Sequence, residues 1–341
     1  MENQNRLQSW MSTLVTSPEA RLAVIAVLVF AMMSALSPDR FLSAQNMTSM
    51  AFQFPEFAIL ALAMTLTMLT GGIDLSVVGI GNLSAIIAAT ILTTFAGAGL
   101  TGTDALLWYG IAFGAAILVG ASAGLFNGVL IAVLGLPAIL ATLGTGLIFT
   151  GLAVVLTNGS AVMGFPAVVA WLGNGLLFGI PVPLILFAVL AAGLSFLLTR
   201  TGFGLKVQMF GANPLAARFA AIDITSMLLK VYVSSGVLAA IAGMVIMSRA
   251  NSAKADYGSS YLLLAVLIAV LGGVNPYGGY GRVIGVVLAV LSMQFLSSGL
   301  NMLGVSNFSR ELIWGALLIM VMIINTRPDL LNPFKALRAK T

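Results

Sequence analysis

Residues 69–78 read LTGGIDLSVV. This stretch decides the fold, because a carboxylate, Asp74, follows two glycines between two long apolar runs. An ionised aspartate at the centre of a bilayer costs about 2.5–3.5 kcal/mol on insertion scales, so something must compensate it. The double glycine Gly71–Gly72 ends one helix at little cost, since glycine accepts the left-handed backbone found at helix C-termini. Asp74 or Ser76 can then cap the next helix, where a carboxylate also meets the positive end of the helix dipole.

The surroundings are as apolar as this reading requires. Of 341 residues, 60% are hydrophobic and 7% charged, with a mean hydropathy of +1.09, whereas an ordinary soluble domain carries about 25% charged residues. Apolar windows long enough to cross about 30 Å of hydrocarbon recur along nearly the whole chain. One polytopic all-α membrane domain over 1–341 is expected, with no separate soluble domain. Cysteine and histidine are absent, which removes disulfides, thiol nucleophiles, the commonest metal ligand and the easiest general base. No catalytic or metal site is expected. The net charge of +5 comes from Lys and Arg clustered at the two ends and in one loop, which is the pattern of membrane orientation and not of a nucleic-acid partner.

Splitting the apolar runs at Gly/Pro/Asn/Asp clusters predicts about ten spans, near 21–36, 54–70, 77–95, 106–133, 137–157, 182–198, 228–248, 261–274, 283–301 and 311–325. Some of them are expected to be short or broken. The first run resembles a signal peptide, but so many apolar segments follow it that a retained span is expected. Arg6 and Arg21 precede the first span, Arg200, Lys206, Arg218 and Lys230 populate the 199–230 loop, and Arg327, Lys335, Arg338 and Lys340 follow the last. The charge rule makes the 1–20 segment, the 199–230 loop and the 327–341 tail cytoplasmic, and even numbers of spans between them agree. The 158–181 segment, without Lys or Arg, falls outside. The 249–260 loop conflicts mildly, since it is also outside by this count yet holds Arg249 and Lys254 with Asp256.

MLTGGIDLSVVGIG at 68–81 and VLGGVNPYGGYGRVIG at 270–285 each place a polar residue between a double glycine and a second glycine cluster. They are either distant internal repeats or a coincidence in a chain with 37 glycines; in both cases Gly-interrupted segments point to broken helices beside a translocation path. The candidates for that path are Gly71, Gly72, Asp74, Ser76, Asn82, Asn127 and Asn275, with Asp74, Ser76 and Asn82 placed to hydrogen-bond a polyhydroxylated solute. Repeated GxxxG spacings, Gly110/Gly114, Gly120/Gly124/Gly128 and Gly281/Gly285, predict close helix packing, mostly within the chain.

The longest polar interruption, TRTGFGLKVQMFGANPLAARFAAIDIT at 199–225, predicts a surface helix over 213–223. Asn213 is a good N-cap, Pro214 suits the first helical position, and Leu215, Phe219 and Ile222 share one face. No phosphate-binding loop of the G-x-x-x-x-G-K-[ST] type occurs, so the chain is not expected to bind or hydrolyse nucleotide itself.

These segments, with PAILATLGTGLIFTGLAVVLTNG at 137–159 and GLNMLGVSNFSRELIWGALLI at 299–319, resemble in order and separation the permeases of bacterial ABC importers for ribose, galactose, xylose and autoinducer-2. The resemblance runs from about residue 21 to 326. It implies a type II importer permease of about ten helices that pairs with a second permease subunit, identical or paralogous, in the lipid of the bacterial inner membrane. A periplasmic binding protein delivers the sugar, and a cytoplasmic ATPase subunit binds ATP. In that family the loop matching GANPLAARFAAID carries the coupling helix that docks on the ATPase, and Gly211, Asn213, Pro214, Ala217 and Arg218 match its pattern. Where ribose-type members carry acidic residues before the LGG motif, this chain has Tyr261-Leu262-Leu263-Leu264, closer to the autoinducer-2 branch, as is SAKADYG at 252–258. The competing class, an ion-coupled secondary transporter, needs titratable groups along the path, and Asp74 is almost the only candidate in the apolar regions.

Overall fold

The computed structural model describes residues 18–326. Residues 1–17 and 327–341, and with them Arg6, Arg327, Lys335, Arg338 and Lys340, lie outside the described residues. Every predicted apolar run coincides with a helix: α1 (Pro18–Leu36), α3 (Ala44–Met68), α4 (Val77–Ile91, continued by a π-turn at Leu92–Ala96), α5 (Gly102–Ala132), α6 (Ala138–Thr157), α8 (Val182–Arg200), α11 (Ile224–Ala250), α12 (Tyr261–Leu271), α13 (Val283–Met302) and α14 (Asn307–Thr326). Short helices α2 (Pro38–Phe41), α7 (Ala170–Asn174), α9 (Gly202–Ala212) and α10 (Pro214–Phe219) join them, together with a two-stranded hairpin, β1 (Leu176–Leu177) and β2 (Ile180–Pro181). In hydrocarbon the backbone must satisfy its own hydrogen bonds, which is why the long apolar runs are all helices.

Among the described residues eight helices are long and apolar enough to cross a membrane. Of the other two runs, α12 has 11 residues, about 16 Å at 1.5 Å per residue and roughly half the hydrocarbon thickness, and α14 has 20 residues. The second span starts ten residues before its predicted start at 54. Ser43 Oγ accepts from Asn46 N at 3.2 Å and caps α3, so the polar stretch that reads as a loop is helix, and Pro55 sits inside it.

The helices alternate in direction. One end, the near end, gathers the start of α1, α9, α10 and the start of α13, with Arg282 Nη1 on Glu19 Oε1 at 2.7 Å. The far end gathers residues 158–181 and 251–260, joined by a bridge between Val162 and Ala253. α3 and α11 are largely enclosed by the others, whereas α6 turns Leu140, Leu147 and Val155 outward, as a lipid-facing helix does.

Glycine sets the closest helix contacts. On α5, Gly120 and Gly124 lie against the backbone of Gly236 and Tyr232 on α11, where a Cβ would strike main chain. Gly285 packs likewise on Gly272, while Gly110 and Gly114 face open space. Two of the three GxxxG sets are therefore internal packing, as expected, and the third is not.

Candidate functional site

The break between α3 and α4 is built from its glycine outward. Gly71 has φ +79°, Gly71 N donates to Met68 O at 2.9 Å and Gly72 N to Thr67 O at 3.3 Å, which is the Schellman ending that glycine favours. The second glycine segment ends α12 the same way: Gly273 has φ +82°, Gly273 N donates to Val270 O and Val274 N to Ala269 O, each at 3.0 Å. Both breaks thus share one local mechanism.

Asp74 is fully buried. Its Oδ1 accepts from Ser76 N at 3.0 Å and Ser76 Oγ at 2.6 Å, and its Oδ2 accepts from Ser235 Oγ on α11 at 2.9 Å. Ser76 Oγ in turn accepts from Asn127 Nδ2 on α5 at 2.7 Å, and Asn127 Oδ1 from Thr145 Oγ1 on α6 at 2.6 Å. Leu75 N donates to Thr142 Oγ1 at 3.0 Å. A buried polar chain therefore crosses four elements and satisfies a non-helical segment where unpaired groups are costly. Asp74 holds the residue before α4 and does not bond the N–H groups inside it; Ser76 stands at the N-cap position without a side-chain capping bond. The expected cap is thus an Asx-type turn fastened to α11. Ser235 lies about 16 Å along α11 at 1.5 Å per residue, well inside the helix.

The surface helix differs from its predicted extent. Asn213 Oδ1 accepts from Leu215 N and Ala216 N, both at 3.0 Å, so the start is as expected. α10 nevertheless stops at Phe219 after six residues. Ala221 takes φ +53°, with Ile222 N on Ala217 O at 3.2 Å, and Asp223 Oδ1 accepts from Ser226 N at 3.0 Å to cap α11. The cap at Asp223 wins over the helix propensity of Ala220 and Ala221. Ile222 consequently packs against the core and leaves the face on which Leu215 and Phe219 stand 62% and 84% exposed. Helix α9, read from sequence as loop, precedes α10 and leaves Leu205 exposed.

The predicted coupling residues divide accordingly. Leu215, Arg218 and Phe219 point outward, Asn213 and Pro214 start the helix, and Ala217 is buried. Gly211 has no room for a side chain, since a Cβ there would collide with Leu69 O and Gly279 N. Gly279 N also donates to Leu69 O at 3.0 Å. Both glycine breaks and the end of α9 therefore meet at one backbone junction. Beside it a cavity of about 310 Å³ is lined by Gly72, Ala138, Phe210, Pro214, Arg218 and Tyr232. The Tyr232 hydroxyl is buried without a partner and abuts Gly72.

Of the path candidates, the structure joins Asp74, Ser76 and Asn127 and places Gly71 and Gly72 beside them. Asn82 lies toward the far end, where Nδ2 donates to Ala255 O at 2.9 Å and Tyr257 O at 2.8 Å. Asn275 folds its own turn at the near end, donating to Gly278 O at 2.9 Å and accepting from Tyr277 N at 3.1 Å.

Asp74 is not almost alone among acidic groups in the apolar regions, contrary to the sequence expectation. Glu56, 4% exposed on α3, pairs with Arg249 at 2.6 Å and accepts from Tyr261 Oη at 3.0 Å. This pair, with Lys254 on Asp256 at 2.9 Å, also explains the charge conflict in the 249–260 loop, because each cation there has an acidic neighbour. Asp256 beside it holds the Lys254 ammonium pKa above the usual lysine value. Neither Ser235 nor Thr145 carries a signal in sequence, since a lone hydroxyl in an apolar helix usually satisfies itself on its own backbone.

A family described as branched-chain amino acid transport system / permease component matches residues 46–324. The chain is 32% identical over 295 residues to the D-allose transport system permease protein of Escherichia coli K12, covering 86% of this chain and 87% of that one. It is 35% identical over 311 residues to the autoinducer 2 import system permease protein of Enterobacter sp. 638, covering 89% and 91%. It is 33% identical over 310 residues to the ribose import permease protein of Escherichia coli K12, covering 89% and 93%. No solved structure matches it.

Proposed function

Because the chain belongs to the branched-chain amino acid transport system / permease component family, it is a multi-pass membrane transport subunit rather than an enzyme, and we propose that it moves a monosaccharide or sugar-like polyhydroxylated solute as the permease of an ATP-driven importer. The observation that carries the reading is its likeness, over 86–89% of its length, to import and transport-system permeases named for D-allose, autoinducer-2 and ribose. On this reading it is one transmembrane permease domain of the bacterial inner membrane, with the near end cytoplasmic.

A cytoplasmic ATPase subunit binds ATP and takes α10 into a groove through Leu215, Phe219 and Arg218. A binding protein meets the far end, and a second permease copy or a paralogue completes the path. The backbone junction of Gly211, Leu69 and Gly279 supports a mechanical role for α10, because movement there is passed without intervening flexible side chains to the break that holds Asp74. The test is reconstitution with the ATPase and binding protein, followed by uptake of a panel of pentoses and hexoses. ATP-dependent accumulation of one of them is expected; accumulation by the lone chain on a proton or sodium gradient would overturn the reading in favour of an ion-coupled carrier.

A further inference from the structure

At the far end, away from the Asp74 chain and the junction, α3, α11, α12, α13 and α14 surround a second cavity of about 380 Å³. This is within the range of small-molecule clefts, about 300–1,000 Å³. Its polar groups are unusual for a membrane domain. Gln294 on α13 is 3% exposed and lines the cavity. Arg310 Nε and Trp314 Nε1 on α14 are buried and unpartnered, and both residues line the same space. Buried polar groups are nearly always satisfied, so two such donors on one wall, facing a cavity that the Gln294 carboxamide also lines, call for an occupant. Phe57 and Tyr261, with ring centroids 5.8 Å apart, supply an apolar wall, and Arg249 at the rim is already neutralised by Glu56.

We infer that this cavity is a solute-binding site contained within a single subunit, and that it takes a neutral, ring-shaped polyol of monosaccharide size. Hydroxyls both donate and accept, so they match a carboxamide beside two N–H donors, and the C–H face of the ring covers the aromatic wall. An apolar occupant leaves those donors unmet. A multiply charged anion fits poorly, because Glu311 lines the cavity alongside Arg310. The ligand class rests on the importer reading above; the site itself rests on the unpartnered groups.

The experiment uses the full chain in lipid nanodiscs for binding and the reconstituted importer for uptake, with whichever pentose or hexose the wild type transports as probe. Saturable quenching of tryptophan emission is expected, and it should be lost in Trp314→Phe. Gln294→Leu removes the carboxamide from the cavity wall and is expected to melt no lower than the wild type, yet to raise the KM for uptake about tenfold, the scale of one lost hydrogen bond. Basal ATP hydrolysis should not change. Uptake by the wild type with an unaltered KM in Gln294→Leu, or with no saturable emission change, overturns the site and leaves the importer reading standing, with water as the occupant. Transport of no pentose or hexose by the assembled wild type overturns the importer reading and with it the ligand class.

Discussion

Asp74 shows how a carboxylate is kept in an apolar interior: three donors, Ser76 N, Ser76 Oγ and Ser235 Oγ, use both of its oxygens. Asp74→Asn retains Oδ1 and presents an N–H₂ to Ser235, whose hydroxyl can turn to accept. Asp74→Asn should therefore keep most of the uptake and a near-normal melting temperature. Asp74→Ala leaves buried hydroxyls unpaired, and the cost is expected to be about 2 kcal/mol or more, read as a clear drop in the melting temperature of the solubilised protein. An Asp74→Asn protein that folds and assembles but transports nothing would show that the charge itself is required. The need for a partner was legible in LTGGIDLSVV. Its identity was not, because Ser235 is 161 residues away and looks like any serine in an apolar helix.

At the scale of elements, the exposed face of α10, proposed to dock on the ATPase, is distinct from Ile222, which packs inward. Phe219 stands 84% exposed, so Phe219→Ala should leave the protein inserted while weakening co-purification with the ATPase about thirtyfold, the loss of an anchor worth about 2 kcal/mol. Arg218→Glu should act in the same direction. Ile222→Ala should instead lower stability and spare ATPase binding, since Ile222 packs inward; equal loss of ATPase binding in both variants would restore the longer helix. Helix packing gives a second contrast. Gly120→Leu drives a side chain into the Gly236 backbone and should cost about 3 kcal/mol or more, visible as lost folded protein in size-exclusion chromatography. Gly114→Leu, with nothing within 4 Å, should be tolerated. GxxxG spacing was visible in the sequence, but which copy meets a partner depends on how each helix is rotated.

For the whole molecule, the missing phosphate loop predicts that the purified chain hydrolyses no ATP in lipid, and a phosphate-release assay on the isolated protein checks this. The sequence by itself determined the membrane class, the places of the apolar helices, the alternation that puts the 199–230 loop and the start of α1 at one end, and the residues that start α10. All of these follow from properties read along the chain: hydrophobic length against bilayer thickness, charge placement, and capping chemistry. Only the tertiary structure decided that Asp74 reaches Ser235, that Glu56 neutralises Arg249, that Gly211 meets both glycine breaks, and that α10 ends early so that Asp223 can cap α11. Each of these depends on which faces of separate helices come into contact, and in a chain where nearly every face is apolar, hydrophobic periodicity does not distinguish them.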